Sequence, residues 1–308
     1  MVEENVRDDD RDGATKKRAY YAERVSLFEK YFQREQAKVV TAHENDRRIK
    51  ITLKDGTEKE AVANATTPWD VAMEISKKLA QSSLLAHVDG EDWDMKRPLE
   101  NDCKLTLFSF DEKEGRELYW HSSAHVLGEA LELEYGADLT IGPAIEEGFY
   151  YDCFLGERTL SPENVDEIER RMMKIIGEKQ PFQRIVVSRE EALEMFKENK
   201  FKVELISNLA EDATISCYRC GPMVDLCRGP HLPDTAWIKS LKVTQCSRAH
   251  WRADVTKDPL VRVYAVTFPN DKLLKEYNRR IEEAKQRDHR LIGMNQELFF
   301  FNVLSPGS

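Results

Sequence analysis

The sequence predicts an α+β fold in which a small β-grasp module precedes a larger α+β domain. Three observations predict it. Residues 48–110 alternate apolar and polar positions around a hairpin turn and a short helix, a pattern typical of a small mixed sheet. Residues 117–294 combine helical periodicity with aromatic and β-branched runs. The 308-residue chain, with 41% apolar residues, is long enough for two cores.

The N-terminal segment, residues 1–46, is predicted to be a charged extension. The acidic block Asp8–Asp10 repels itself, so residues 1–13 are expected to be disordered. Residues 14–43 place Tyr20, Val25 and Phe28 near the helical period. A single amphipathic helical arm is therefore expected there.

The second segment, residues 47–110, is predicted to be the β-grasp module. Ile49, Ile51 and Leu53 alternate with polar residues and run into an Asp-Gly turn, so a hairpin is expected. Thr67-Pro68 then begins a helix that is expected to continue through Leu79. Strands are predicted around residues 84–88 and 103–107. Because no group of chemically reactive side chains stands out, the module is expected to carry no chemistry of its own.

The third segment, residues 111–290, is predicted to be the larger α+β domain, and residues 291–308 to begin a linker. Helices are expected at 120–135, after Ser161-Pro162, at 190–199 and at 269–294. Strands are expected at 149–151 and 185–187 and within 214–226 and 261–265. Residues 203–206 are apolar without a clear period, so their structure stays open.

Composition limits the function classes and the compartment. A net charge of −10 argues against a non-specific nucleic-acid coat, although a local basic strip is enough to hold phosphates. Six scattered cysteines predict reduced thiols rather than a disulfide framework. No apolar run has the length of a bilayer span. The first residues are acidic and polar, unlike a transit or signal peptide, so a cytoplasmic location is expected.

Two close groups of side chains carry the chemical signal. His121 and His125 are separated by four residues, so on a helix both imidazoles lie on one face, with Cβ atoms about 5–6 Å apart. Asp225, Cys227 and His231 lie together around a Gly-Pro turn a hundred residues later in the chain. Side chains of these types act as metal ligands or as acid–base groups. Each one alone is more often a structural residue, but two close pairs favour a site.

The residues leave two possible metal sets open. His121, His125, Cys227 and His231 would give a tetrahedral zinc site. Cys217 and Cys220, with Cys227 and His231, would give a different site that resembles a zinc knuckle. The two sets share Cys227 and His231, so both cannot be filled completely.

Four ordered motifs resemble the editing domain of threonyl-tRNA synthetases. They are His-Ser-Ser-Ala-His at 121–125, Ile-Gly-Pro at 141–143 with Gly-Phe-Tyr-Tyr-Asp at 148–152, Asp-Leu-Cys-Arg-Gly-Pro-His at 225–231, and Arg-Asp-His-Arg-Leu-Ile-Gly at 287–293. The module before them resembles the TGS domain of these enzymes. Residues 297–308 resemble the entry to their aminoacylation domain. The charged N-terminal arm suggests a eukaryotic cytosolic member.

This resemblance implies a function and a set of site residues. The function is proofreading hydrolysis of serine from mischarged threonine tRNA. The implied pocket contains His121, His125, Lys202, Asp225, Cys227 and His231, and the implied substrate-binding residues are Tyr151 and Gly142. The resemblance implies no obligatory metal in this pocket. ATP and zinc are expected only in a catalytic domain outside this chain, and a full-length enzyme is expected to form a homodimer through that domain.

Two questions of mechanism and binding stay open at the level of sequence. A water mechanism is favoured over Cys227 as a nucleophile because an activated ester needs no covalent intermediate. Lys239, Lys242, Arg248 and Arg252 are predicted to bind tRNA, with Trp237 and Trp251 interleaved, although a solvated surface with packed tryptophans is an equal alternative. The rival functions are a regulatory or RNA-binding module with idle editing residues, and a small zinc-binding protein.

Overall fold

A computed structural model describes residues 20–37 and 47–287. The predicted disorder of residues 1–13 and the predicted linker at 291–308 lie outside the described residues, as does nearly all of the motif at 287–293. Three sheets and eight α-helices are present in the described ranges. This architecture confirms the predicted α+β class.

The first sheet belongs to the β-grasp module. Its five strands have the order β2-β1-β5-β3-β4, with β1 and β5 parallel and the other neighbours antiparallel. The strands are β1 (Arg48–Leu53), β2 (Glu58–Val62), β3 (Leu85–Val88), β4 (Glu91–Trp93) and β5 (Cys103–Phe108). A separate apolar core, which includes Ile51, Met95 and Leu99, lies beneath this sheet. The predicted hairpin and later strands are confirmed.

The helix predicted from Thr67 to Leu79 is two helices, α2 (Pro68–Ile75) and α3 (Lys77–Ser82). Thr67 and Asp70 form a capping box that begins α2. Ser76 has extended backbone dihedrals, and its side chain accepts a hydrogen bond from the Leu79 amide at the start of α3. Since Ser76 is a good N-cap and a weak helix former, the chain restarts the helix there rather than continuing it.

The helix that carries the two histidines, α4 (Lys113–Tyr135), begins seven residues earlier than predicted. Its first turn follows Glu112, whose carboxylate accepts hydrogen bonds from the Ser109 amide and hydroxyl. It ends at Gly136, which has a left-handed φ of 60°. From Leu118 to Glu132 almost every residue is buried, because α4 runs through the main core of the second domain.

Two sheets surround this helix. One has the order β11-β10-β9, and the other has the order β12-β13-β8-β6, with β7 paired to β8. The strands are β6 (Asp138–Leu139), β7 (Ala144–Ile145), β8 (Gly148–Phe154), β9 (Phe182–Val187), β10 (Ile215–Cys220), β11 (Met223–Leu226), β12 (Ser240–His250) and β13 (Pro259–Phe268). The predicted strands at 149–151, 185–187, 214–226 and 261–265 are confirmed, and β12 was missed.

The remaining helices are α5 (Val165–Gly177), α6 (Arg189–Met195), α7 (Lys200–Ser207) and α8 (Asp271–Gln286). The prediction of one helix at 190–199 was wrong in its extent. The helix ends at Met195, and Asn199 instead begins α7, because its side chain accepts hydrogen bonds from the Phe201 and Lys202 amides. The open question at 203–206 is thereby resolved as helix. No described helix is both long and apolar enough to cross a membrane.

Residues 20–37 form helix α1, which confirms the described part of the predicted arm. Tyr20, Phe28 and Tyr31 are buried, and the latter two pack into a core that includes residues of β9, β10 and α6. Arg24 forms a buried ion pair with Glu132 on α4, with Nη1–Oε1 and Nη2–Oε2 distances of 2.9 and 2.6 Å. The arm is therefore docked against the back of the helix that carries the histidines.

Candidate active site

The two histidines of α4 lie one helical turn apart and face the same side, as their spacing predicts. The ring centroids of His121 and His125 are 5.3 Å apart. His231 completes the cluster, with ring-centroid distances of 4.7 Å to His121 and 4.2 Å to His125. Tertiary folding thus joins the two groups of the sequence into one site.

Cys227 lies between two of the imidazoles. Its Sγ atom is 3.0 Å from His121 Nε2 and 3.2 Å from His231 Nε2. The Gly229 amide also donates a hydrogen bond to Cys227 Sγ, at 3.3 Å. Gly229 has a φ of +69°, and a Cβ atom there would lie 2.1 Å from the Tyr218 hydroxyl. The loop that follows β11 can therefore hold Cys227 and His231 in this arrangement only with glycine at 229.

Ser122 fixes His231 from the α4 side. Its hydroxyl oxygen lies 3.1 Å from His231 Nδ1 and accepts a hydrogen bond of 3.0 Å from the Leu232 amide. Ser122 lies within the predicted 121–125 motif, but the sequence prediction gave it no role. The chemical signal in that motif came from His121 and His125. The contact of Ser122 with His231 depends on the loop after β11, which is distant in the sequence.

Lys202 and Asp225 form a buried ion pair beside the histidines. The Lys202 Nζ atom is 2.5 Å from Asp225 Oδ1 and donates a hydrogen bond of 2.7 Å to the Thr140 carbonyl. Tyr151 donates a hydrogen bond of 2.5 Å to Asp225 Oδ2. His125 Nε2 lies 3.8 Å from the same oxygen. Thr140 had no sequence signal, because it acts through a backbone carbonyl that every residue type carries.

A cavity of about 730 Å³ opens onto these groups. The predicted site residues that line it are His121, His125, Lys202, Asp225, Cys227 and Gly142. His231 lies behind Cys227 and is 1% exposed. Tyr151 is also fully buried, in contact range of Gly142 and hydrogen-bonded to Asp225. Tyr151 therefore lies in a supporting position behind the cavity wall, although the prediction gave it a substrate contact.

Burial keeps the three imidazoles neutral at physiological pH. It lowers the pKa of His125 to about 3, with Asp225 opposing the shift and His121 and Lys202 adding to it. The pKa of His121 is also lowered by burial, against the opposing charge of Asp225. Burial and the two neighbouring imidazoles hold the pKa of His231 well below its ordinary value. A neutral imidazole has a ring nitrogen that can accept a proton, and the burial that keeps it neutral also lowers its basicity, most clearly at His125.

The acidic groups of the site divide into one ionised and one protonated group. Burial alone would raise the pKa of Asp225, but Lys202, His125 and the Tyr151 hydroxyl hold it below its ordinary value. Burial and the Asp225 charge instead raise the pKa of the Cys227 thiol to about 12. A protonated thiol is a poor nucleophile, so the electrostatics favour water over Cys227 as the attacking group.

The fold keeps one of the two alternative metal sets apart and assembles the other. Cys217 and Cys220 are three residues apart on β10, so their side chains point to opposite faces of the sheet. Cys217 packs in the core under α1, and Cys220 Sγ lies 3.2 Å from Gln180 Oε1. The alternative set made from Cys217, Cys220, Cys227 and His231 is therefore not assembled among the described residues. All six cysteines are free thiols.

The other set is assembled. One ligand atom from each of His121, His125, Cys227 and His231 lies within 4.8 Å of the others. Three imidazole nitrogens and a thiolate are donors that suit zinc. However, the Cys227 Sγ distances of 3.0 and 3.2 Å are shorter than the roughly 3.5 Å between sulfur and nitrogen ligands of a tetrahedral zinc ion. The donors fit the metal chemically, and the cluster would have to rearrange to hold it, because other ligand-atom separations reach up to 4.8 Å.

The predicted tRNA-binding residues lie on the surface and do not line the cavity. Lys239, Lys242, Arg248 and Arg252 are all exposed. Arg252 forms an ion pair with Glu204 at 2.9 Å. Trp251 is 3% exposed and packs against Phe201, which agrees for this residue with the alternative of packed tryptophans. Arg228, inside the 225–231 motif, is an exposed cation that does line the cavity, and the prediction passed over it.

Comparison with known proteins identifies two family models. The TGS domain model matches residues 49–109. The model described as "Threonyl and Alanyl tRNA synthetase second additional domain" matches residues 215–264, which include Asp225, Cys227 and His231.

Several curated relatives are similar over most of the chain. "Threonine--tRNA ligase, mitochondrial 1" of Arabidopsis thaliana is 52% identical over 292 residues, which cover 94% of this chain and 41% of that protein. "Probable threonine--tRNA ligase 1, cytoplasmic" of Dictyostelium discoideum is 51% identical over 261 residues, covering 84% of this chain and 37% of the relative. "Threonine--tRNA ligase 2, cytoplasmic" of Homo sapiens is 48% identical over 260 residues, which cover 84% of this chain and 32% of that protein. The chain thus spans at most about two fifths of the length of these relatives.

Proposed function

Since this chain belongs to the threonyl-tRNA synthetase family through its TGS and second additional domains, we propose that it hydrolyses the serine ester of mischarged threonine tRNA. The observation that carries the proposal is the meeting of His121, Cys227 and the Lys202–Asp225 pair in one cavity. Threonine tRNA is the proposed partner. Cytoplasmic and mitochondrial relatives are both named, and we propose the cytoplasm as the compartment.

The need for such a site follows from the substrate chemistry. Serine lacks only one methyl group of threonine, and one methyl group supplies about 1–3 kcal/mol of discrimination in an aminoacylation site. A second, hydrolytic site that admits the smaller amino acid removes the remaining errors. The cavity wall formed near His121 and Gly142 is the proposed place where the extra methyl of threonine is excluded.

The proposed reaction uses water. A water molecule attacks the ester carbonyl carbon while a neutral imidazole of the cluster, for which His121 is best exposed to the cavity, accepts its proton. The carbon–oxygen bond to the terminal ribose then breaks, and the same proton passes to the ribose oxygen. The products are serine and deacylated tRNA. Cys227 stays protonated, because burial raises the pKa of its thiol to about 12.

Lys202 is proposed to hold the substrate or to stabilise the developing oxyanion. Its ammonium group has three N–H donors, and the described structure gives it two acceptors, Asp225 and the Thr140 carbonyl. A third N–H therefore remains for a ligand. Asp225 holds Lys202 in place through the 2.5 Å contact between Nζ and Oδ1. A fixed positive charge in a site shielded from water stabilises an oxyanion more than a mobile one does.

A deacylation assay tests the proposal. The 308-residue chain is incubated with threonine tRNA charged with serine and, separately, with threonine. We expect hydrolysis of the serine ester and sparing of the threonine ester. Equal rates on both esters would contradict the proposed discrimination. Binding of the tRNA without hydrolysis of either ester would instead support an RNA-binding module with idle editing residues.

A further inference from the structure

One contact of the site comes from the TGS domain, for which no chemistry is predicted from the sequence. Asp94 lies just after β4, in the β-grasp module, and is partly buried at the boundary with the second domain. Its Oδ1 atom accepts a hydrogen bond of 2.9 Å from the His231 backbone amide. Its Oδ2 atom accepts a hydrogen bond of 2.7 Å from the Tyr218 hydroxyl. One carboxylate thus joins the loop after β11 to strand β10.

Tyr218 transmits this contact to the same loop. Its ring packs edge-on against His231, with centroids 4.5 Å apart. Its hydroxyl also lies in the space that any side chain at 229 would fill. Asp94 therefore holds two points of the loop backbone. It binds the His231 amide directly, and it holds the backbone at Gly229 through Tyr218. The His231 imidazole at the end of this loop is one of the two in contact with Cys227.

The loop has few other anchors on this side. His231 Nδ1 is near the Ser122 hydroxyl, which belongs to α4, whereas the backbone of the loop is tied to the second domain by the Leu232 amide and Cys227 amide hydrogen bonds. A second cavity, of about 700 Å³, lies between the two domains and is lined by Asp94, Tyr218 and His231. On that side the Asp94 hydrogen bonds act together with the Phe182 ring stacked on His231, at a centroid distance of 4.9 Å, and with the Ser216 hydroxyl, which donates a hydrogen bond of 2.7 Å to the Cys227 carbonyl.

We propose that Asp94 is a positioning residue for the hydrolytic site, through which the TGS domain holds the 227–231 loop in its active geometry. The proposal rests on the proposed function above. Asp94 lines the second cavity, not the one that holds the reacting groups, so it acts through His231 and Tyr218. The TGS domain is then part of the editing site rather than a separate attachment.

Three variants of the 308-residue chain test this role. Asp94→Ala removes both hydrogen bonds. Asp94→Asn keeps an acceptor oxygen for the His231 amide and a polar group opposite the Tyr218 hydroxyl. Glu91→Ala is the matched control, because it removes an exposed carboxylate from β4 that contacts neither cavity. We expect Asp94→Ala to lower the saturated single-turnover rate on Ser-tRNA by about 10- to 100-fold, because each of the two lost hydrogen bonds is on the scale of a factor of ten. Asp94→Asn and Glu91→Ala should stay close to the unaltered chain.

The half-saturating concentration of Ser-tRNA separates positioning from binding, and it should be the same in all variants. A loss confined to that concentration, or an equal loss of rate in Asp94→Asn and Asp94→Ala, would overturn the proposal. If Asp94→Ala fails to fold, as judged by its thermal transition, Asp94→Ser provides a side chain that is too short to span both contacts. Its saturated rate should then fall below that of Asp94→Asn.

Amide hydrogen exchange at His231 gives a readout that does not depend on hydrolysis. We expect faster exchange in Asp94→Ala than in the unaltered chain, and restored protection in Asp94→Asn. Unchanged exchange in Asp94→Ala would show that the carboxylate does not hold the loop. If the unaltered chain hydrolyses nothing while exchange responds as expected, the proposed function fails and the anchoring contact stands.

Discussion

The Nζ atom of Lys202 lies 2.5 Å from Oδ1 of Asp225, and both side chains are buried. The pair lies within the wall of the cavity and within hydrogen-bonding reach of Tyr151 and Thr140. Such a pair costs desolvation free energy when it forms. A fixed charge next to a cluster of imidazoles can nevertheless stabilise charge that develops during a reaction. Catalysis therefore gives a reason for the buried pair that stability does not.

Removal of one partner from this pair should affect both stability and hydrolysis. Lys202→Ala leaves an uncompensated buried carboxylate, so we expect a loss of about 3–5 kcal/mol in the free energy of unfolding. The double variant Lys202→Met with Asp225→Asn removes both charges and should recover most of that loss. It should remain inactive on Ser-tRNA. Denaturant unfolding and single-turnover deacylation measure the two effects, and an active double variant would exclude Lys202 from the chemistry.

His121→Ala should slow the chemical step. A proton-transfer role is worth about 10²–10⁴-fold, so the saturated single-turnover rate should fall by that range. Arg252→Ala is the contrasting variant, because Arg252 is exposed and pairs only with Glu204 on the surface. It should raise the Ser-tRNA concentration needed for half-saturation and leave the saturated rate intact. If His121→Ala also changes only that concentration, the cluster grips the tRNA end and does not act as a base.

Hydrolysis is expected to be independent of a metal ion. The close contacts of Cys227 with two imidazoles supply the cluster with internal hydrogen bonds in place of an ion. Treatment with a chelator should leave the deacylation rate unchanged, and elemental analysis should find less than one zinc per chain. One zinc per chain whose removal abolishes hydrolysis would contradict the metal-free mechanism. Zinc whose removal leaves the rate intact would mark an adventitious site.

Glu129, one turn after His125 on α4, should make stability depend on pH. Burial, with the charges of Glu178 and Glu132, raises its pKa from 4.5 to about 8, against the hydrogen bond from Gln180. The folded chain therefore keeps a proton that the unfolded chain releases, so this contribution is complete below about pH 4.5 and is lost as the pH rises to 8. The shift corresponds to at most about 5 kcal/mol.

Glu129→Gln should remove this dependence, because an amide cannot release the proton and its oxygen can still accept from Gln180. Denaturant midpoints at several pH values between 5 and 8 (roughly the window of that shift) check the expectation. We expect the variant to gain stability relative to the unaltered chain as the pH increases. A constant difference between the two chains would show that Glu129 ionises normally in the folded state.

The stability contributed by docking of helix α1 should depend on Arg24. Arg24→Ala leaves the Glu132 carboxylate buried without its bidentate partner, so a loss of about 3–5 kcal/mol in the free energy of unfolding is expected. Lys197→Ala is the control, because it breaks the exposed ion pair between Lys197 and Glu23 of α1, and such surface pairs contribute about 0–1 kcal/mol. Similar effects of the two variants in denaturant unfolding would show that burial does not increase the contribution of the Arg24–Glu132 pair to the free energy of unfolding.

The fold class and most elements followed from local pattern. Alternation predicted the hairpin of β1 and β2, and apolar periodicity predicted α1 and α5, because the side-chain period of a strand or helix is a property of the chain itself. The errors arose at caps. Ser76 divided a predicted helix, and Asn199, the predicted end of one helix, begins the next, since a side chain that accepts backbone hydrogen bonds can outweigh helical periodicity over a few residues.

By itself, the sequence determined the chemical types at the site and their local spacing, above all the one-turn separation of His121 and His125. Only the tertiary structure decided which distant groups they meet. It brought Cys227 to His121, turned Cys217 and Cys220 to opposite faces of β10, and brought Asp94 from another domain to the His231 backbone. The reason is physical: such contacts depend on how whole elements pack, and packing is set by complementary surfaces far apart in the chain.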